Sequence, residues 1–263
     1  MRRDLVTAGV LVAHEWRLQR RDLVPQLILT VMPLVLMAFL LPTYRDAMTL
    51  AGSVPGPGPL TGAEQAVPGL SVMFSMFLVA HVGMVFFRDH GWNTWNRLRA
   101  TAVGVPVLVL SKAAVPLGLL VAQFTILLAA GRVLFGLRIR GSLVALALVV
   151  GVFAVCLVAL GLLGFAACRT VVQMTSAANV LALVMAGLGG ALVPRELLPS
   201  WAAPFAPATP SYWAVSGLQE VISGGAGLGD VAAELAVLAA FATAFALLAL
   251  VMLRPDQRKV SWS

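Results

Sequence analysis

Six long apolar runs alternate along the chain with short stretches where basic and polar residues, or prolines and glycines, collect. The runs cover 23–41, 68–87, 106–135, 142–167, 171–193 and 231–253. Read as helices rising 1.5 Å per residue, each crosses hydrocarbon of about 30 Å. Pro33 falls inside the first run as an expected kink, while Pro68 suits the first turn of the second. The third is interrupted only by Ser111, Lys112, Gln123, Gly131 and Arg132, and it crosses once with tilt. Gly187, Gly189 and Gly190 close the fifth run and permit tight helix packing there.

The polar stretches predict the remaining elements. Over 4–21 a helix would carry Leu5, Val12 and Trp16 on one face and His14, Arg17 and Arg21 on the other, so an amphipathic interfacial helix is expected before the first span. Residues 42–66 are rich in Gly and Pro, and Ser53 to Pro59 cannot be regular structure. After the second span comes a basic and aromatic island beginning Arg88-Asp89-His90-Gly91. A helix starting at Trp92 sets Trp92, Trp95, Leu98 and Ala102 on one side and Asn93, Asn96, Arg97 and Thr101 on another. Residues 137–141 make a tight basic turn. Over 194–229, Pro194, Pro199, Pro204, Pro207 and Pro210 cut the chain into short pieces, as expected of short or re-entrant helices at the membrane surface.

Composition agrees with this pattern. The 263 residues are 60% hydrophobic and 11% charged, and their mean hydropathy is +0.95, which fits an all-α polytopic membrane protein of one domain. The formal charge of +7 must be read by location. Arg2, Arg3, Arg17, Arg20, Arg21, Arg88, Arg97, Arg99, Lys112, Arg169, Arg254, Arg258 and Lys259 fall on one side of a six-span topology, and Arg45, Arg132, Arg138, Arg140 and Arg195 on the other. Both termini and the island are therefore expected in the cytoplasm, with Arg138 and Arg140 a local exception. No basic run stands clear of the membrane, which argues against nucleic-acid binding. Cys156 and Cys168 sit at opposite ends of one run, about 18 Å apart along a helix and beyond disulfide reach. No cleavable signal peptide is evident at the basic N-terminus.

Chemistry is sparse. No stretch matches G-x-x-x-x-G-K-[ST], so no nucleotide site of that kind is expected, and no cofactor or catalytic residue is assigned to the chain. Ile222-Ser223-Gly224-Gly225-Ala226-Gly227 reads as a flexible turn on the outer side. His81 is the one histidine inside a span; it either hydrogen-bonds a neighbouring helix or lines a passage, and lacks an obvious nucleophile or carboxylate partner for catalysis. His14, His81 and His90 are too scattered for a metal site. Lys112 and Arg132 are expected to snorkel to the cytoplasmic and outer edges. Glu220, Asp230 and Glu234 form an acidic patch near the outer mouth, read as a solvated boundary. Met73, Met76 and Met84, with Phe74, Phe77, Phe86 and Phe87, are expected to pack or face lipid.

Three passages go further: Gly91-Trp92-Asn93-Thr94-Trp95-Asn96-Arg97-Leu98-Arg99-Ala100-Thr101; Gly189-Gly190-Ala191-Leu192-Val193-Pro194 with Leu198-Pro199-Ser200-Trp201; and Pro210-Ser211-Tyr212-Trp213-Ala214. In order and separation they make the chain resemble the membrane subunit of type-2 ATP-binding-cassette exporters, in the bacterial drug and antibiotic efflux branch. The family's usual island glutamates are replaced here by Asp89 and Asn96, and the proline that often follows Arg-Ala-Thr by Ala102.

The resemblance implies two permease subunits, as a homodimer or heterodimer, each paired with a separate cytosolic ATPase that holds ATP and Mg. It also implies that residues 88–104 form a coupling helix, with Trp92, Trp95, Arg97, Leu98 and Arg99 meeting that ATPase. The expected cargo is a hydrophobic or amphipathic compound carried out of a bacterial cell through its plasma membrane. Export of a lipid or glycan precursor by the same kind of complex is the alternative. A lipid-acting membrane enzyme with His81 as base, or a sensor that does not transport, belongs to other classes.

Overall fold

A computed structural model describes residues 2–21, 23–50, 62–91 and 104–253. Among these the regular elements are all helices and no β-strand forms. The helices are α1 (Arg2–Gln19), α2 (Val24–Leu50), α3 (Ala63–Gly91), α4 (Val105–Leu134), α5 (Leu143–Ala167), α6 (Val171–Leu188), α7 (Pro210–Ile222) and α8 (Ala232–Met252). Two 3₁₀ turns, Arg195–Leu197 and Ala203–Ala208, lie between α6 and α7. Six helices, α2 to α6 and α8, are long and apolar enough to cross a membrane. At 13 residues, about 20 Å, α7 is too short to do so.

Helix ends follow local chemistry. The Ser142 side chain accepts from the Ala145 N–H at the start of α5. At α6, Thr170 accepts from the Gln173 N–H at 3.2 Å while the Gln173 side chain accepts from the Arg169 N–H at 3.1 Å, a near-reciprocal cap. Two ends differ from expectation. Helix α2 runs through Pro42 to Leu50, and α3 starts at Ala63, ahead of Pro68. Each proline removes one N–H from the ladder, and the tertiary packing described below outweighs that loss.

Helix α3 is the axis of the bundle. It packs against α2, α4, α5, α6 and α7, and nearly all of its span is buried, whereas α2 and α8 present most of their surface outward. Phe86 and Phe87 of α3 both meet Phe165 of α5, with ring centroids 5.4 and 5.1 Å apart. Small residues let the backbones close in. The thioether of Met174 on α6 fills a socket between Gly83 of α3 and Gly164 of α5, where a β-carbon would fall 2.5 Å from Met174 Cε and 2.6 Å from its sulfur respectively. Cys156 is buried within α5, Cys168 caps that helix, and no disulfide joins them.

Leu27, Ile28, Val31 and Phe39 of α2, Val180, Leu183 and Val184 of α6, and Leu247, Leu250 and Val251 of α8 stand exposed. On a soluble protein an apolar surface of this extent would drive association; on a bundle of spans it faces lipid or another membrane chain. The protein is a multi-pass membrane protein.

Candidate functional site

The apolar bundle is interrupted by polar side chains at both ends. At one end α3 terminates and α4 begins, on either side of residues 92–103. Trp92, Trp95, Arg97, Leu98 and Arg99, the expected coupling residues, lie outside the described residues. What is described are the three helices that flank them.

Helix α1 sends Glu15 and Gln19, one turn apart and therefore on one face, into the bundle. Glu15 is 4% exposed and Lys112 of α4 is 5% exposed. The Arg88 guanidinium, at the end of α3, donates to Glu15 Oε1, and Lys112 Nζ lies 3.3 Å from Glu15 Oε2. A single carboxylate thus ties α1 to the two helices that enter and leave the island. The strength of such a triad lies in the cost of breaking it, because Lys112 is buried and would lose this carboxylate in a low-dielectric site.

A neutral relay continues from it. The Gln19 amide oxygen lies 3.0 Å from His81 Nε2 on α3, and its amide nitrogen donates to Gln26 Oε1 on α2 at 3.1 Å. With Gln19 oriented to donate toward Gln26, its oxygen accepts from His81. The first of the two readings of His81 therefore holds: it is a hydrogen-bonding link between helices. The expectation for Lys112 is corrected, because it is buried against Glu15 instead of snorkelling to water. Sequence reasoning also missed Glu15, which sits on the flank between the two faces assigned to α1. His14 and Arg17 beside it are exposed, as expected, and the Arg20 guanidinium sits 5.2 Å from the centre of the Trp16 ring.

The opposite end is built around the two other motif passages. Gly190 turns the chain at the end of α6 with φ of +78°, a left-handed conformation that favours glycine. The Gly190 carbonyl accepts from Gln65 Nε2 of α3 at 2.9 Å, Gln65 Oε1 accepts from the amide of Gln219 on α7, and the Leu192 carbonyl accepts from the Tyr44 hydroxyl of α2 at 2.9 Å. The extension of α2 past residue 41 is what brings Tyr44 there.

Pro210 and Ser211 open α7. The Ser211 hydroxyl donates to the Met185 carbonyl at 2.6 Å, satisfying the C-terminal end of α6. Arg195 stacks over Tyr212 and donates to Ser216 Oγ at 3.1 Å, and Ser216 donates to the buried Glu234 at 3.4 Å.

Glu234 is thus interior, 6% exposed, and not part of a solvated boundary. Glu220 remains partly exposed; burial raises its pKa, the neighbouring Glu234 raises it further, and Arg195 opposes them. The passage over 222–227 is a turn but a tethered one, since Ile222, Val221 and Ala226 carbonyls accept from the Arg140, Gly141 and Ser142 N–H groups. Among the described residues no three His, Cys, Asp or Glu side chains converge as a metal site would require.

Residues 8–222 match the ABC-2 type transporter family. Among curated proteins, the linearmycin resistance permease protein LnrN of Bacillus subtilis (strain 168) is 28% identical over 181 residues, covering 66% of this chain and 45% of that protein. The chain thus spans under half the length of that relative.

Proposed function

This chain belongs to the ABC-2 type transporter family, and we propose that it is the membrane-spanning subunit of an exporter that moves a hydrophobic or amphipathic, drug-like compound out of a bacterial cell. ATP would be hydrolysed by a separate cytosolic subunit. One observation carries the mechanical part of the reading: Glu15 binds Arg88 and Lys112 together, so α1, the end of α3 and the beginning of α4 are fastened at the point where residues 92–103 leave and rejoin the bundle. A push on those residues by the ATPase reaches α3, the axis of the fold, without slack.

In this reading Trp92, Trp95, Arg97, Leu98 and Arg99 form the coupling surface. Residue 4–21 helix lies at the cytoplasmic interface, both termini are cytoplasmic, and 194–229 enters from the outer face. A second permease chain completes the transport path. The resistance relative named above favours a drug-like cargo.

The test is co-reconstitution with the partner ATPase in vesicles. Arg97→Glu with Arg99→Glu is expected to abolish ATP-driven export while the chain still inserts and folds. Export at the wild-type rate by that variant sinks the coupling assignment. Appreciable ATP turnover by the rigorously purified chain alone would refute the division of labour.

A further inference from the structure

Helix α1 carries charge that the triad does not use. With Glu15 and Gln19 turned into the bundle, a winding of about 100° per residue sends Arg17 and Arg21 to the far side and Trp16 and Arg20 to a flank. The winding runs past Gln19, because the Arg20 N–H donates to the Trp16 carbonyl at 3.0 Å and the Arg21 N–H to the Leu18 carbonyl at 3.2 Å. All four side chains are exposed. Among the described residues no carboxylate pairs with Arg17, Arg20 or Arg21. Counting Asp22, residues 16–24 hold three bases and one acid, a net charge of +2. The apolar surface begins at once. Leu23, ahead of α2, and Val24, Leu27, Ile28 and Val31 within it are each 43–62% exposed. At no more than about 3.5 Å of chain per residue, Arg21 is within about 7 Å of Leu23. The guanidinium groups therefore stand where a span meets the headgroups. Trp16, whose ring centre lies 5.2 Å from the Arg20 guanidinium, is the kind of side chain that settles at that level.

We propose that this end of α1 binds an anionic phospholipid, with the phosphate on Arg20 and Arg21 and the acyl chains along Leu23, Val24, Leu27 and Ile28. Guanidinium groups recognise phosphate through charge-assisted hydrogen bonds. A zwitterionic head brings its own cation to the same place, so the net charge of the patch selects a net negative head. A soluble acidic partner would match the arginines but leave uncovered the apolar surface that starts two residues later. A phospholipid covers both with one molecule. The proposal rests on α1 lying at the membrane interface and is read by lipid contact alone, so it stands or falls separately from export.

The test uses the purified full chain in phosphatidylcholine nanodiscs doped with one of two photoreactive probes. These are a phosphatidylglycerol and a phosphatidylcholine with identical chains and a diazirine beside the acyl carbonyl. One arginine beside an anionic lipid surface is worth about fivefold, so a net charge of two should make the phosphatidylglycerol probe label 16–28 about twenty-fivefold more than its partner. Arg20→Gln with Arg21→Gln takes this stretch to no net charge and should make the two probes label equally. Arg20→Lys with Arg21→Lys keeps the charge and should keep the preference, which separates charge from any change of local structure. Unlabelled phosphatidylglycerol should displace the probe. Displacement by inorganic phosphate or by soluble polyglutamate overturns the assignment to a lipid, and a preference that survives the glutamine pair overturns the role of the arginines. Equal labelling of the wild-type chain by both probes overturns the proposal while leaving α1 at the interface. Labelling of 16–28 by neither probe overturns the interfacial reading as well.

Discussion

Replacing Glu15 by Gln keeps the size of the side chain and removes a negative charge that meets both Arg88 and Lys112. The substitution makes the cluster more positive by one charge. Taking away one partner of a buried pair costs about 3–5 kcal/mol. Lys112 is 6% exposed at its side chain, but Arg88 is 25% exposed and can turn toward solvent, so the lower end, about 3 kcal/mol, applies here. The bond lies between α1 and the bundle, and its loss is therefore read first as undocking of α1.

At about 1.4 kcal/mol per tenfold, undocking becomes roughly a hundredfold more populated. Hydrogen exchange followed by mass spectrometry on residues 2–19 should show that increase, while α5 and α8 amides stay at their wild-type rates. Lys112→Met added to Glu15→Gln returns the triad's charge to its original value and should recover part of the protection, giving a non-additive double-mutant cycle. Arg17→Gln, on an exposed position of the same helix, is the control that should change nothing. If α1 exchanges within about threefold of wild type in Glu15→Gln, the triad does not hold that helix, and the mechanical argument built on it fails.

Gly190→Ala forces a β-carbon onto a backbone with φ of +78° and brings it to 2.8 Å from Arg195 Cγ. The left-handed conformation alone costs about 1–2 kcal/mol, and the apparent thermal midpoint in detergent should fall by about 2–8 °C; an unchanged midpoint contradicts the strained-turn reading. Glu220→Gln tests the outer cluster. Burial and then Glu234 raise the Glu220 pKa above its ordinary 4.5, so the folded chain holds that proton more tightly than the unfolded one. Stability contributed by this group therefore falls as pH climbs from 4.5 through the raised folded value and is flat above it. The variant should be stabilised relative to wild type near neutral pH and lose that advantage in acid, and an advantage that grows in acid would reverse the assigned sign.

The spans were legible because a membrane imposes a length and a composition, and apolar runs near 20 residues satisfy both without reference to the rest of the fold. What joins the spans was not legible, for a physical reason visible in individual residues. Glu15 meets partners 73 and 97 positions away, and Tyr44 reaches a carbonyl 148 positions away. Such pairings leave no periodicity in the local sequence.

Prolines misled in the same way. Pro42 and Pro68 each read as a boundary from local rules, yet the contacts of Tyr44 and Gln65 lie on the far side of each, and those contacts keep the helix going. Lys112 shows the limit most clearly. A lone lysine near a membrane edge has a default, to extend to water, and only the arrival of a carboxylate from a helix almost a hundred residues earlier replaces it. Charged residues inside such a bundle are therefore best read in pairs. An acid on an interfacial helix beside a span that carries an unexplained base is the signal that would have found this site, and the same rule directs attention to Glu234, whose second oxygen is buried without a partner, as the next carboxylate to probe.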